Sequence, residues 1–445
     1  MKVSVAGTGY VGLVSGVCLA DLGHEVICVD IDHDKVNKIN NGEAPIYEDG
    51  LEELLARNIG DRLKASNDLH QAVLDTDLTL VAVGTPFDGD LIDLRYIKNV
   101  AAEIGTALAE KNGYHMVVVK STVVPGTTDE VVLPILETES GKVAGEAFSV
   151  GMNPEFLKEG EAIKDFMNPD RIVLGATDPR GIESLQELYS VFTGVDKLET
   201  SCRTAEMIKY TANSLLATLI SFSNEIGNLC AATGGVDVKD VMAGVHLDKR
   251  LSPILQDGTR ITPSITTYIE AGCGFGGSCF PKDVKALVAY GREQDAPMTL
   301  LESVVKINAR QPYKMLEILA DHFDDLAGIK VLVLGLAFKP GSDDMRESPA
   351  IPIVNSLLDQ EAKVSAYDPV AESEAKKMFD ACDIEYLSNL EAAISDADVV
   401  LLVTRWQEFN AVPKILASLE RQPLVVDGRR MLERDQIENY AGIGM

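Results

Sequence analysis

Six residues near the start of the chain, Gly7-Thr8-Gly9-Tyr10-Val11-Gly12, constrain the fold more than any others. The run Lys2–Ala6 before them is short and apolar, as a buried parallel strand is, and residues 14–22 after them form an amphipathic stretch. Gly23 follows, then a second apolar run, Glu25–Val29, ending at Asp30, eighteen residues after the last glycine. Strand, glycine turn, helix and acid-terminated strand in this order build one half of a doubly wound parallel sheet. Gly7 permits the tight turn, Gly9 lets the backbone meet a pyrophosphate, and Gly12 lets helix pack on strand. The helix N-terminus, opened by Tyr10 and Val11, adds amides and partial positive charge for the phosphates. Asp30 takes the ribose hydroxyls and repels a 2′-phosphate, so NAD is expected rather than NADP. Lys35, on the following turn, reaches the same ribose.

The sheet continues along the chain. Residues 77–83 are apolar and end in Gly84-Thr85-Pro86, and residues 116–120 end in Ser121-Thr122. Ligands of such sheets lie beyond the carboxyl ends of the strands, so Thr85 and Thr122 either touch cofactor or substrate or cap the next helix. A further strand end gives Asn153-Pro154-Glu155-Phe156-Leu157-Lys158-Glu159-Gly160. Glu155 and Glu159 are spaced i, i+4, so on a helix they share a face and orient a water as acid or base.

From about Arg203 to Ala232 the sequence is helical, with Gly227 its one glycine and no proline. A helix this long bridges domains or packs against its copy in a dimer. Lys209 and Asn213, four apart, reach from one face to one small ligand. After Leu326 a second α/β pattern begins, with strands at residues 330–334, 363–367, 398–403 and 423–426. Lys330-Val-Leu-Val-Leu-Gly335 echoes Lys2-Val-Ser-Val-Ala-Gly7, and the run from Asp398 echoes that from Asp77. The glycine fingerprint is replaced by Gly335-Leu336-Ala337-Phe338-Lys339-Pro340-Gly341, so a different phosphate, such as that of a nucleotide sugar, suits Lys339. The expected fold is α/β, two Rossmann-like doubly wound domains joined by a long central helix. The domains are residues 1–200, a central helical and catalytic-loop region 201–310, and 311–445.

Gly274-Phe275-Gly276-Gly277-Ser278-Cys279-Phe280-Pro281-Lys282-Asp283 is the second dense cluster. The glycines present Cys279 on a loop tip, and Pro281 with the apolar pattern after it starts a helix. A thiol at a helix N-terminus beside an ammonium favours its thiolate, as a nucleophile requires. Asp283 lies one turn on. Between them and the long helix, Arg250-Leu251-Ser252-Pro253 and Arg260-Ile261-Thr262-Pro263 are near copies, either of which suits an anion.

An excess of 69 acidic over 40 basic residues, −29 in all, argues against a nucleic-acid partner. No signal peptide and no apolar run of membrane-spanning length are apparent, so no membrane partner is expected. Seven cysteines without zinc-like pairing fit a reducing cytoplasm.

Taken together, Gly7–Gly12, Ser121-Thr122, residues 153–157, residues 205–210 with Asn213, residues 276–283 and residues 335–347 resemble the UDP-glucose/GDP-mannose dehydrogenase family over nearly the whole chain. Pro45-Ile46-Tyr47-Glu48 and residues 166–171 resemble its members that oxidise UDP-glucose, while members acting on GDP-mannose or UDP-N-acetylmannosamine share the catalytic motifs. The resemblance implies a cytoplasmic homodimer and a four-electron oxidation of a sugar C6 alcohol with two NAD⁺, through a Cys279 thiohemiacetal and thioester. It implies that Lys209 stabilises the oxyanion, helped by Asn213, and that Asp283 arranges water near the thiol. Thr122 and Glu155 then position the hydrolytic water, and Glu159 links substrate and cofactor. Lys282, Arg346, Thr85 and Thr122 touch the dinucleotide. Phe156, Leu157, Lys158, Tyr268, Gly276 and Lys339 help hold the nucleotide sugar. The family's single Arg-Ile-Gly element, which reaches the partner subunit's substrate, is here spread across an insertion, leaving Arg250 or Arg260 for that role.

Overall fold

A computed structural model describes residues 1–89 and 91–445. The chain divides into two units, Met1–Ala212 and Asn213–Met445.

The first unit is built on eight strands: β1 (Lys2–Ala6), β2 (Glu25–Val29), β3 (Leu63–Ser66), β4 (Leu78–Val81), β5 (His115–Val119), β6 (Phe148–Met152), β7 (Ile172–Ala176) and β8 (Lys197–Thr200). Their order in the sheet is β3-β2-β1-β4-β5-β6-β7-β8. Only the β6–β7 pair is antiparallel. Every residue of β4, β5 and β6 is buried, because helices cover both faces of a parallel sheet and leave no polar side. The sheet reverses direction of winding between β1 and β4, which places the β1 turn and the ends of β4, β5 and β6 on one rim.

The second unit repeats the plan with β9 (Lys330–Leu334), β10 (Lys363–Tyr367), β11 (Ile384–Tyr386), β12 (Val399–Leu402), β13 (Leu424–Asp427) and β14 (Tyr440–Gly442). The order β11-β10-β9-β12-β13-β14 matches that of the first six strands, and all pairs are parallel. The echo seen in sequence extends to hydrogen bonds. The amide of Lys2 donates to Asp77 Oδ2 at 3.0 Å, and that of Lys330 to Asp398 Oδ2 at 3.1 Å. Gly7 N donates to the Val29 carbonyl at 2.7 Å, and Gly335 N to the Tyr367 carbonyl at 2.8 Å.

One helix of 32 residues, Cys202–Thr233, starts in the first unit and runs into the second. It corrects one expectation. Among the described residues it is long and apolar enough to cross a membrane by length and composition. Its first turns nevertheless carry Glu206 and Lys209, both buried against protein partners of the first unit.

Candidate active site

In the first unit the site grows from the β1 turn. Gly7 has φ +98°, and a Cβ there would stand 2.8 Å from the Ala82 carbonyl oxygen. A Cβ on Gly12 would collide with the Gly7 carbonyl. Gly9 is different, for a Cβ there meets nothing within 4 Å, and it caps the helix Tyr10–Asp21 with no side-chain hydrogen bond. The cradle is closed by packing at two glycines and open at the third, above a helix N-terminus, which fits a pyrophosphate. Asp30 Oδ2 accepts from the Thr8 amide at 2.9 Å and the Thr8 hydroxyl at 2.6 Å. Burial pushes the Asp30 carboxyl up, but Thr8, the Asp32 amide and the charge of Lys35 outweigh it, so the group lies below its usual range.

The ends of β4 and β5 are tied together, the Thr85 hydroxyl donating to the Thr122 carbonyl at 2.8 Å. After β6, Glu155 is buried and pairs with Lys209 at 2.9 Å, Lys209 being 5% exposed. Burial raises the Glu155 carboxyl, and Lys209, the Leu157 amide and Lys120 together more than reverse it. Phe156 lies under the Arg171 guanidinium at 3.9 Å and within 5.5 Å of Lys209 Nζ. Lys158 turns outward to Asp165 at 3.2 Å.

Glu155 and Glu159 do not share a helical face, because residues 153–158 form no helix. The amides a helix would use internally are already taken. That of Leu157 donates to the Glu155 carboxylate at 2.6 Å and that of Lys158 to Asp165 at 2.9 Å, while Pro154 has none. The two acids therefore part. Glu155 meets Lys209, and the charge of Glu159 is felt by the Tyr10 phenol. Burial, the Glu48 hydrogen bond and both acid charges raise that phenol. Glu48, which also accepts from the Gly160 and Ala162 amides at 2.7 Å each, pins this segment to the start of the dinucleotide helix.

In the second unit Cys279 is exposed and caps the helix Phe280–Glu293, with Pro281 in its first turn. Asp283, 1% exposed, donates its amide to the Cys279 carbonyl at 2.8 Å. Its carboxylate accepts from Asn213 Nδ2 at 2.6 Å and from Lys282 Nζ at 2.6 Å. The glycines before the thiol are needed for contact: a Cβ on Gly277 would stand 2.7 Å from the Phe338 ring, and one on Gly276 would strike the Glu347 carbonyl. Lys339 Nζ lies 5.6 Å from the same Phe338 ring, and Tyr268 packs on Phe280 at 6.4 Å between centroids. Arg346 pairs with Asp344 at 2.8 Å. Arg260 donates to the Leu247 and Ser252 carbonyls, both at 2.9 Å, and so is spent inside its own loop. Arg250 pairs with Asp248 and is 89% exposed.

The sequence profile described as "UDP-glucose/GDP-mannose dehydrogenase family, NAD binding domain" matches residues 1–193, the family's central domain matches 203–310, and its UDP binding domain matches 332–434. The chain belongs to this family. Among curated relatives, the UDP-glucose 6-dehydrogenase AglM of Haloferax volcanii is 43% identical, covering 100% of both chains. The UDP-glucose 6-dehydrogenase of Rhizobium meliloti is 42% identical over 100% of this chain and 99% of its own. A UDP-glucose dehydrogenase structure from Pyrobaculum islandicum superposes with a TM-score of 0.90 at 38% identity, covering 100% of this chain and 97% of that one. The dinucleotide-binding turn, Asp30 and the open position at Gly9 thus stand in the family's NAD-binding domain, and Lys339 in its UDP-binding domain.

Three residues of this family member were not singled out by pattern. Lys120, 4% exposed, follows β5 and donates to Asn153 Oδ1 at 2.8 Å. Glu206, fully buried, accepts from the Gly126 and Thr128 amides at 2.7 and 2.9 Å, tying the segment after Thr122 to the long helix. Arg429 donates to the Gly274 carbonyl at 2.9 Å and so anchors the loop ahead of Cys279. A lysine closing an otherwise apolar strand was the one signal available, at Lys120.

Proposed function

We propose that this chain oxidises the C6 alcohol of UDP-glucose to the carboxylate of UDP-glucuronate, taking the aldehyde through a covalent adduct on Cys279. The observation that carries this reading is the exposed thiol at a helix N-terminus, one turn before a buried Asp283 held by Asn213 and Lys282. The choice of sugar rests on the relatives named above. Gly7, Gly9, Tyr10, Val11, Gly12, Asp30 and Lys35 hold NAD, which when bound accepts a hydride from the sugar carbon in each oxidation. Tyr268, Gly276 and Lys339 hold the nucleotide sugar.

Lys209 stabilises the alkoxide of the first oxidation and the oxyanion of the later adducts. Cys279 gives up its proton and adds to the aldehyde carbon, forming a thiohemiacetal. Loss of hydride from that carbon leaves a thioester, a better acyl donor than an ester would be. A water oriented by Glu155 and Thr122 then attacks the thioester, the carbon–sulfur bond breaks, and the thiolate is restored.

Further parts of the reading are an intersubunit role for Arg250, whose side chain is 89% exposed, rather than Arg260, which bridges two backbone carbonyls of its own loop, and a homodimer through the long helix. Met207, Leu215, Phe222 and Leu229 are exposed on that helix, about two turns apart in succession, so they line one apolar stripe. A cytoplasmic site of action fits seven cysteines of which none forms a disulfide among the described residues.

Stoichiometry tests the reaction. Two NADH per UDP-glucose support it, and one would mean a single-step alcohol dehydrogenase. Cys279→Ser is expected to bind NAD and sugar nearly as the parent does and to lose turnover by roughly 10³-fold or more. Uronate formed by this variant at the parent rate would remove the covalent role. GDP-mannose and UDP-N-acetylmannosamine, assayed beside UDP-glucose, check the sugar.

A further inference from the structure

Lys120 is a buried cation that the steps above do not use. It stands directly after β5, its amide donating to the Val81 carbonyl at 2.8 Å, so its backbone is fixed at the carboxyl rim of the sheet. Beside it, Asn153 follows β6 and donates its amide to the Val119 carbonyl at 2.9 Å. Asn153 Oδ1 accepts from Lys120 Nζ at 2.8 Å and from the Tyr189 hydroxyl at 2.5 Å. Lys120, Glu155, Phe156, Arg171 and Tyr189 line one cavity of about 60 Å³, in which Asp165 and Asp170 are the other acids.

Lys209 pairs with Glu155 at 2.9 Å, Lys120 lines the same cavity close enough for its charge to lower the Glu155 carboxyl, and each of the three is less than a tenth exposed. Burial lowers the Lys120 ammonium, Glu155 offsets part of this and Lys209 adds to it, leaving the group at about 8. A second buried cation beside a desolvated ion pair lets the first offer its charge to a developing oxyanion without leaving the carboxylate alone. When Lys209 serves that oxyanion it shares its charge away from Glu155. A carboxylate 7% exposed would then lose its partner, take up a proton and cease to orient water.

We propose that Lys120 is a positioning residue for the reaction, supplying the second cation that keeps Glu155 ionised and in place while Lys209 turns to the substrate oxygen. This rests on the roles given above to Glu155 and Lys209. Lys120 makes no bond to substrate. It acts through Glu155.

The test is a pH–rate profile of the whole enzyme with UDP-glucose and NAD. Removing the Lys120 charge removes a group that holds the Glu155 carboxyl down, so its protonation moves to higher pH. Lys120→Met is expected to lower kcat by about 10- to 100-fold, to leave the KM for NAD within about 2-fold, and to raise the acid limb of kcat by about one pH unit. If Lys120→Met does not fold, Lys120→Gln, which keeps a donor for Asn153, takes its place with the same readouts. Tyr189→Phe removes the hydroxyl that bonds the same asparagine and, at 3.4 Å, Lys120 itself, but it keeps the ammonium charge, so its acid limb should stay where the parent's is. A folded Lys120 variant with an unmoved acid limb overturns the proposal, and so does an equal shift in Tyr189→Phe. Glu155→Gln separates this from the underlying reading: parent-like turnover there would remove Glu155 from the mechanism, whatever Lys120 does.

Discussion

Each unit has an aspartate at the end of its second strand, facing the turn after its first, and the two do opposite things. Asp30 bonds Thr8 with one oxygen and the Asp32 amide with the other, and remains partly exposed beside an open helix N-terminus. Asp368 is 6% exposed and saturated. Its Oδ2 accepts from the Leu336 and Ala337 amides at 2.7 and 3.1 Å and from Trp406 Nε1 at 3.1 Å. Its Oδ1 accepts from the Val370 and Ala371 amides, both at 2.9 Å. In the first unit a helix begins two residues beyond the turn residue Thr8, whereas in the second a long stretch of turns and loop, residues 335–349, intervenes before the helix Ala350–Asp359. The same backbone plan therefore leaves one acid partly open, as the proposed ribose contact requires, and fills the other with protein donors. What separates them is how many protein donors already fill the carboxylate.

The largest effect expected from breaking this contrast is at Asp368. Asp368→Asn sets an amide against buried donors and should cost the second unit about 3 kcal/mol or more, read by denaturant unfolding, with NAD affinity retained. Next comes Gly12→Ala, whose methyl must push the helix off the turn. A loss of about 2 kcal/mol in NAD binding is expected by titration calorimetry, while UDP binding holds. Asp30→Asn should raise the KM for NAD roughly 10-fold and bring NADP closer to it, because the charge opposing a 2′-phosphate is gone. Unchanged discrimination would make Asp30 as structural as its counterpart.

The smallest effect concerns pH. Asp30 is held below the usual carboxylate range, so its charge persists until pH falls through that lowered value. NAD affinity should therefore be flat from neutrality down to about pH 4.5. An earlier decline assigned to Asp30 by its loss in Asp30→Asn would mean the Thr8 bonds do not hold in solution.

These contrasts also mark what a sequence can disclose. The fingerprint, both strand repeats and the helix starting at Phe280 depend on residues a few positions apart, and all were legible. Glu206 bonds amides 78 and 80 residues away, and Arg429 a carbonyl 155 residues away. No local period encodes such partners. The Glu155 and Glu159 pairing failed for the same reason, since Asp165 takes the Lys158 amide that a helix would need and Lys209, 54 residues on, takes the Glu155 carboxylate.

Tolerance to changes of length follows from how segments close. A single residue inserted between Lys209 and Asn213 would swing the second around the helix by about 100° and separate the pair. Residues 253–261 face no such restriction. Ile254 bridges Arg260, and the Ile261 amide donates to the Pro253 carbonyl at 2.9 Å, so the loop returns to where it left. Residues gained or lost at its tip displace nothing that flanks it. The loop tip can therefore change length without moving its ends, while the helix cannot.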